Sequence, residues 1–121
     1  MDENQVIWRE LRTKQNHLDL LDERNRSIRQ QREEQFDDLQ QKRDQLLHMM
    51  ESKYQMMQHT LGQVDADTTE ERARLNRIAS HFSQSVSMGF TRNQRALEQR
   101  IENEEIEYRR ERRKLEEDID T

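Results

Sequence analysis

The sequence has no cysteine and no proline, and only two glycines in 121 residues. Without cysteine there can be no disulfide framework and no thiolate metal site. Without proline, and with glycine confined to Gly62 and Gly89, almost nothing in the chain forces a helix to break. Hydrophobic residues make up 30% and aromatic residues 5%, too little apolar surface to enclose a rounded core. No apolar run approaches membrane-spanning length. The start, Met1-Asp2-Glu3-Asn4-Gln5, is acidic and polar where a secretory signal would carry a basic patch and an apolar core, so neither signal peptide nor anchor is expected. Cytoplasmic location is the expectation, with export beside a partner left open. Excess positive charge is missing too: the formal net charge is -5, so the field expected of a nucleic-acid binder is absent.

What the chain does have is charge, 39% of its residues, together with Arg, Glu, Gln, Leu and Met, all good helix formers. The fold class expected is all-α, an elongated antiparallel two-helix hairpin of coiled-coil type forming one domain over residues 1–121. Asp2, with Gln5 three residues on, can cap a first helix over about 3–61. Turn chemistry interrupts the pattern only at 62–68. There Gly62 is the natural left-handed residue just past a helix end. Thr68-Thr69-Glu70-Glu71 reads as a capping box, opening a second helix over about 69–120.

Apolar residues recur along the first helix at steps of three, four and seven: Leu11, Leu18, Leu21 and Ile28, then Leu39, Leu46, Met50, Tyr54, Met57 and Leu61. The eleven-residue step from Ile28 to Leu39 is a stutter. Asn25, Arg32 and Arg43 are polar seam positions, which lower stability but penalise a slipped register. On the second helix the inward set is Leu75, Ile78, Phe82, Leu97, Ile101, Tyr108, Leu115 and Ile119. In an antiparallel hairpin facing residues have a constant number sum. Leu21 with Tyr108, Ile28 with Ile101, Leu39 with Phe90 and Tyr54 with Leu75 satisfy one register, and Arg32 then faces Leu97.

Apolar doublets widen the first helix's stripe beyond what one partner helix covers, because neighbours point about 100° apart. From Ile7-Trp8, Leu20-Leu21, Leu46-Leu47, Met49-Met50 and Met56-Met57, the residues turned from the seam are Trp8, Leu20, Leu47, Met49 and Met56, a candidate surface for a partner helix or for a homodimer. The stretch from Ala79 to Gly89 is rich in small residues and poor in helix propensity; it reads either as a tolerated weak stretch of helix or as a kink. The run Arg109-Arg110-Glu111-Arg112-Arg113-Lys114 is enclosed by Glu102, Glu104, Glu105 and Glu107 before and Glu116, Glu117, Asp118 and Asp120 after. Pairs such as Glu105 with Arg109 and Arg112 with Glu116 make it a solvated face, not a nucleic-acid helix.

Nothing points to catalysis. His17, His48, His59 and His81 are dispersed, no Glu-x-x-His pair recurs, and there is no Gly-rich phosphate loop or nucleophile elbow. No enzyme activity, cofactor or metal is expected.

The charged ending from Leu97 to Asp118, with Glu104-Glu105-Ile106-Glu107-Tyr108 running into Arg109-Arg110-Glu111-Arg112-Arg113-Lys114, together with the length and two-helix plan, resembles the LXG-associated α-helical proteins of Gram-positive bacteria. That resemblance implies a non-enzymatic targeting chaperone in type VII secretion. Such a protein binds the helical LXG domain of a toxin, often beside a second small helical protein, to give a complex competent for export. The chain departs from the related WXG hairpins: its turn carries Leu61-Gly62 without Trp-x-Gly, and Tyr108 is followed four residues later by Arg112, not by an acid. These departures favour the role of accessory subunit. The alternative reading is structural, a self-associating coiled coil or a stalk component of flagellar or type III secretion ATPase type.

Overall fold

In a computed structural model the chain is an all-α helical hairpin, with α1 spanning Glu3–Gly62 and α2 spanning Thr69–Asp120. The structure describes residues 2–120, the side chains of Ile119 and Asp120 excepted, so the expected seam position Ile119 lies outside the described residues. Asp2 caps α1: its carbonyl accepts from the Gln5 and Val6 N–H groups and its carboxylate from Asn4 N–H. The weak stretch from Ala79 to Gly89 is continuous helix inside α2. Small and polar side chains lower helix propensity there, but none removes a backbone donor, so the hydrogen-bond ladder is kept.

The turn differs from the sequence reading in both of its devices. Gly62 does not adopt a positive φ; it is the last residue of α1, and the chain leaves the helix through tight bonds from Gln63 N–H to the Thr60 carbonyl and Val64 N–H to the Leu61 carbonyl. The capping box is replaced by a cap one residue earlier. Asp67 accepts from both the backbone N–H and the hydroxyl of Thr69, at 3.0 and 2.6 Å, while the Thr68 hydroxyl accepts from Arg72 Nε at 3.0 Å. The Asp67 carboxylate satisfies an exposed N–H at the start of α2, where negative charge is favourable, and the Thr68 hydroxyl is turned to the Arg72 side chain instead of the backbone.

Packing falls into two units. In the unit made of Met1–Glu34 and Leu97–Thr121, the buried residues among those described are Leu18, Leu21, Leu97 and Arg32, and Leu11, Ile28, Tyr108 and Leu115 are half-buried around them. Ile101, expected opposite Ile28, is only 36% exposed but falls outside the covered set, because Arg32 and Glu104 fill the seam at that level.

In the unit Gln35–Ala96 no described residue is fully buried; the helices meet through half-buried Phe36, Leu39, Arg43, Leu47, Met50 and Tyr54 on α1 and Leu75, Ala79, Phe82, Val86 and Phe90 on α2. Three positions are corrected here. Leu46, placed on the seam from a strict heptad after Leu39, is 41% exposed, and Leu47 takes its place. The half-buried positions Leu39, Arg43, Leu47, Met50 and Tyr54 step by four, four, three and four, closer to the true 3.6-residue turn than to a 3.5 repeat, so the stripe drifts by one residue. Met57, also expected on the seam, is exposed for the same reason. Ile78 is 61% exposed because the neighbouring Ala79, smaller and about 100° away, lets the helices approach along its own side.

Candidate partner-binding surface

Long polar side chains govern the first unit. Arg32 Nε and Nη2 donate to the two oxygens of Glu104 at 2.7 and 2.9 Å, a bidentate pair that keeps a charged group inside the seam. The hydrogen bond from Arg32 holds Glu104 below the ordinary carboxylate range, against the opposing effect of burial, and the same bond raises Arg32. Arg100 adds a contact to Glu104 at 3.8 Å. The next residue, Glu105, accepts from Arg29 of α1 at 3.2 Å and from Arg109 at 2.9 Å.

Asp22 is the hub of a second cluster. Its carboxylate accepts from the Tyr108 hydroxyl at 2.6 Å and from Arg112 Nη1, while Arg112 Nε reaches Glu116 at 3.1 Å. The Tyr108 bond, ahead of Arg112, lowers Asp22, and Asp22 in turn raises both Tyr108 and Arg112. Lys14 Nζ donates to the Asp118 carbonyl at 2.7 Å. In the contacts between the helices, from Lys14, Arg29, Arg32 and Arg112, the long basic chains lean toward the N-terminus of their own helix, as Cα–Cβ bonds on a helix do. That lean is why Arg32, expected to face Leu97, ends on Glu104.

In the second unit one flank of the hairpin is apolar and rimmed by positive charge. A groove between the helices is lined by Met49, Met50, Lys53, Tyr54 and Met57 of α1 and by Leu75, Ile78, Ala79 and Phe82 of α2. A shallower depression adjoins it across Ile78 and Phe82 and adds Arg74, Arg77, His81 and Ser85. Tyr54 donates its hydroxyl proton to Asn76 and accepts from Gln58 at 2.7 Å, so its ring is held as a floor of the groove. Further along, the Arg43 guanidinium lies 4.3 Å from the centre of the Phe90 ring.

The five residues expected as a partner surface are distributed unevenly. Trp8 is 71% exposed and Leu20 is exposed, both in the first unit. In the second unit Met49 is exposed and lines the groove, Met56 is 70% exposed and outside it, and Leu47 is half-buried in the seam. The groove gathers other residues instead, Met57 and Ile78, which sequence reasoning had turned inward. The signal that could have found them is the absence of acid from Arg72 to Leu97, which sets this part of α2 apart from the charge-mixed remainder.

His17, His48, His59 and His81 are all exposed, and no three His, Cys, Asp or Glu side chains among the described residues are grouped to hold a metal ion. No helix of the described residues is long and apolar enough to cross a membrane. Comparison with protein-family models, with curated proteins and with solved structures gives no match.

Proposed function

We propose that the protein is a non-enzymatic helical adaptor that binds a helical partner protein against apolar residues its own hairpin leaves uncovered. The observation that carries this is the disproportion between its core and its exposed apolar surface. Among the described residues Leu18, Leu21 and Leu97 are the buried apolar side chains, while Ile7, Trp8, Leu20, Met49, Met56, Met57, Ile78 and Met88 stand exposed. Single exposed apolar residues are ordinary, but three of these, Met49, Met57 and Ile78, border one groove, which is the arrangement a partner helix covers.

The resemblance of the Leu97 to Asp118 ending to LXG-associated proteins names the partner: the helical LXG domain of a toxin, with a second small helical protein, assembled in the cytoplasm into a complex for type VII secretion. The chain's role there is to shield the toxin's apolar stripe by side-by-side helix packing. Co-expression of the tagged chain with an LXG domain tests the reading. A stoichiometric complex that survives size-exclusion chromatography is the expected result. Recovery of the chain only with itself, and never with the toxin domain, overturns it in favour of a self-associating coiled coil.

A further inference from the structure

Within the unit Gln35–Ala96 the apolar groove and the positive charge lie on the same flank. Lys53 lines the groove, and Arg74 and Arg77 line the depression that continues it. Lys42 and Arg92 fall on this flank by helical spacing: Lys42 is four residues before Leu46, itself four before Met50 of the groove, and Arg92 is seven after Ser85 of the depression. Of the α1 acids in this unit, Asp38 shares the flank, four residues before Lys42, while the two nearest the groove point elsewhere. Glu51 stands two residues from both Met49 and Lys53, and Asp44 two residues before Leu46, each about 200° round the helix. On α2 no acid occurs between Glu71 and Glu98. Among the described residues Lys53, Arg74, Arg77 and Arg92 make no ion pair, whereas in the other unit Arg29, Arg32, Arg100, Arg109 and Arg112 are matched to Glu104, Glu105, Asp22 and Glu116.

We infer that this flank is a docking groove for one amphipathic helix whose apolar stripe is bordered by Asp and Glu. The inference rests on the adaptor reading and assigns its surface and the chemistry of its partner. Charge complementarity selects this occupant. The exposed side chains of Met49, Met57 and Ile78 meet the stripe, and the Lys53 and Arg74 rims meet the acids on either side of it. A second copy of the chain is disfavoured on the same ground, since a two-fold contact through this flank sets each basic rim against an identical rim or against the groove. A flat anionic bilayer reaches the rim but not the recessed Tyr54 and Phe82 rings that floor the groove. From Leu46 to Met57 the flank extends about 16 Å along α1, three turns of a docked helix.

The test uses the full chain and two synthetic amphipathic helices of about 20 residues, identical in their leucine stripe and bordered by glutamate in one and by lysine in the other. Fluorescence anisotropy reads binding to the wild type, to Lys53→Glu/Arg74→Glu and to Ile78→Asp, with circular dichroism confirming that these exposed substitutions keep the helicity. The glutamate helix binds the wild type at least ~10-fold tighter than the lysine helix, the double charge reversal inverts that order, and Ile78→Asp weakens both. Four outcomes overturn the assignment: equal binding of the two helices, binding of neither, indifference to the charge reversal, or tighter binding to phosphatidylglycerol vesicles than to the glutamate helix. Self-association abolished by Ile78→Asp overturns it too, giving the flank to a second copy. Capture of the LXG domain undiminished by Lys53→Glu/Arg74→Glu removes the flank while leaving the adaptor reading intact. Failure of the wild type to capture that domain strikes the adaptor reading alone, because the peptide comparison stands without it.

Discussion

Arg32 occupies a position where a coiled-coil seam ordinarily holds leucine, and it stays there because Glu104 meets its guanidinium with both oxygens. Removing one partner of such a pair costs more than the pair contributes, since the remaining charge is left short of its counterpart in a partly dry setting. Glu104→Gln should therefore destabilise the chain by about 1–3 kcal/mol, and Arg32→Leu combined with Glu104→Leu should recover most or all of it; urea unfolding with tryptophan-independent circular dichroism measures both. A double mutant as unstable as the single one would show that Arg32 holds the fold through more than this pair. The same carboxylates set the acid limit. Asp22 and Glu104 are both held below their ordinary values of 3.8 and 4.5, so their contribution is present above those values and is lost as pH falls through the lower values of the folded state. Melting temperature should hold from neutral pH to about 5 and then drop, and Asp22→Asn, which still accepts the Tyr108 hydroxyl, should make that drop shallower. A wild-type acid limb no steeper than that of Asp22→Asn would separate this cluster from acid stability.

At the scale of the helices, the two glycines give opposite forecasts depending on whether the sequence or the structure is consulted. A left-handed Gly62 would make any side chain costly, but Gly62 is helical, and a Cβ placed on it meets only the Arg72 Nη2 at 3.8 Å. Gly89 lies inside α2 with open space where a Cβ would stand. Gly62→Ala and Gly89→Ala should each raise stability, Gly89→Ala by about 0.5–1 kcal/mol and Gly62→Ala by less because it ends its helix; thermal melts decide it. A fall in melting temperature for Gly62→Ala would restore the left-handed turn. The helices themselves were legible because nothing between Glu3 and Gly62 or between Thr69 and Asp120 breaks a backbone ladder, and the spacing of Leu11, Leu18, Leu21 and Ile28 is a clear seam. Less legible was the choice within a doublet. Leu46 and Leu47 are chemically the same, and their assignment turned on a drift of one residue that only the helix geometry fixes. The role of Asp67 was hidden because a Thr68 capping box and an aspartate one residue earlier are both good helix starts by residue type. The cross-helix pairs of Arg32 with Glu104 and Asp22 with Arg112 were hidden because long side chains slant along the helix and so leave the simple facing register.

For the whole chain the balance of covered and uncovered apolar surface decides behaviour in isolation. Burial of a few leucines and half-burial of the seam must offset the ordering of two long helices, and helices of this length hold their shape through packing on a partner more than through propensity. Exposed Trp8, Met56 and Ile78 add nothing to that balance until something covers them. The isolated protein should accordingly melt early, with a midpoint that rises with its own concentration wherever the apolar residues associate. Saturation with a partner helix protein at about 100 times its Kd should stabilise the fold by about 2.7 kcal/mol, because a ligand that binds only the folded state shifts the equilibrium by mass action. Differential scanning calorimetry of the chain alone, at two concentrations, and with the LXG domain reads all three conditions. A high, concentration-independent midpoint that the LXG domain leaves unmoved would mean that the hairpin is self-sufficient, and its exposed apolar residues would then be ordinary surface instead of an interface awaiting its partner.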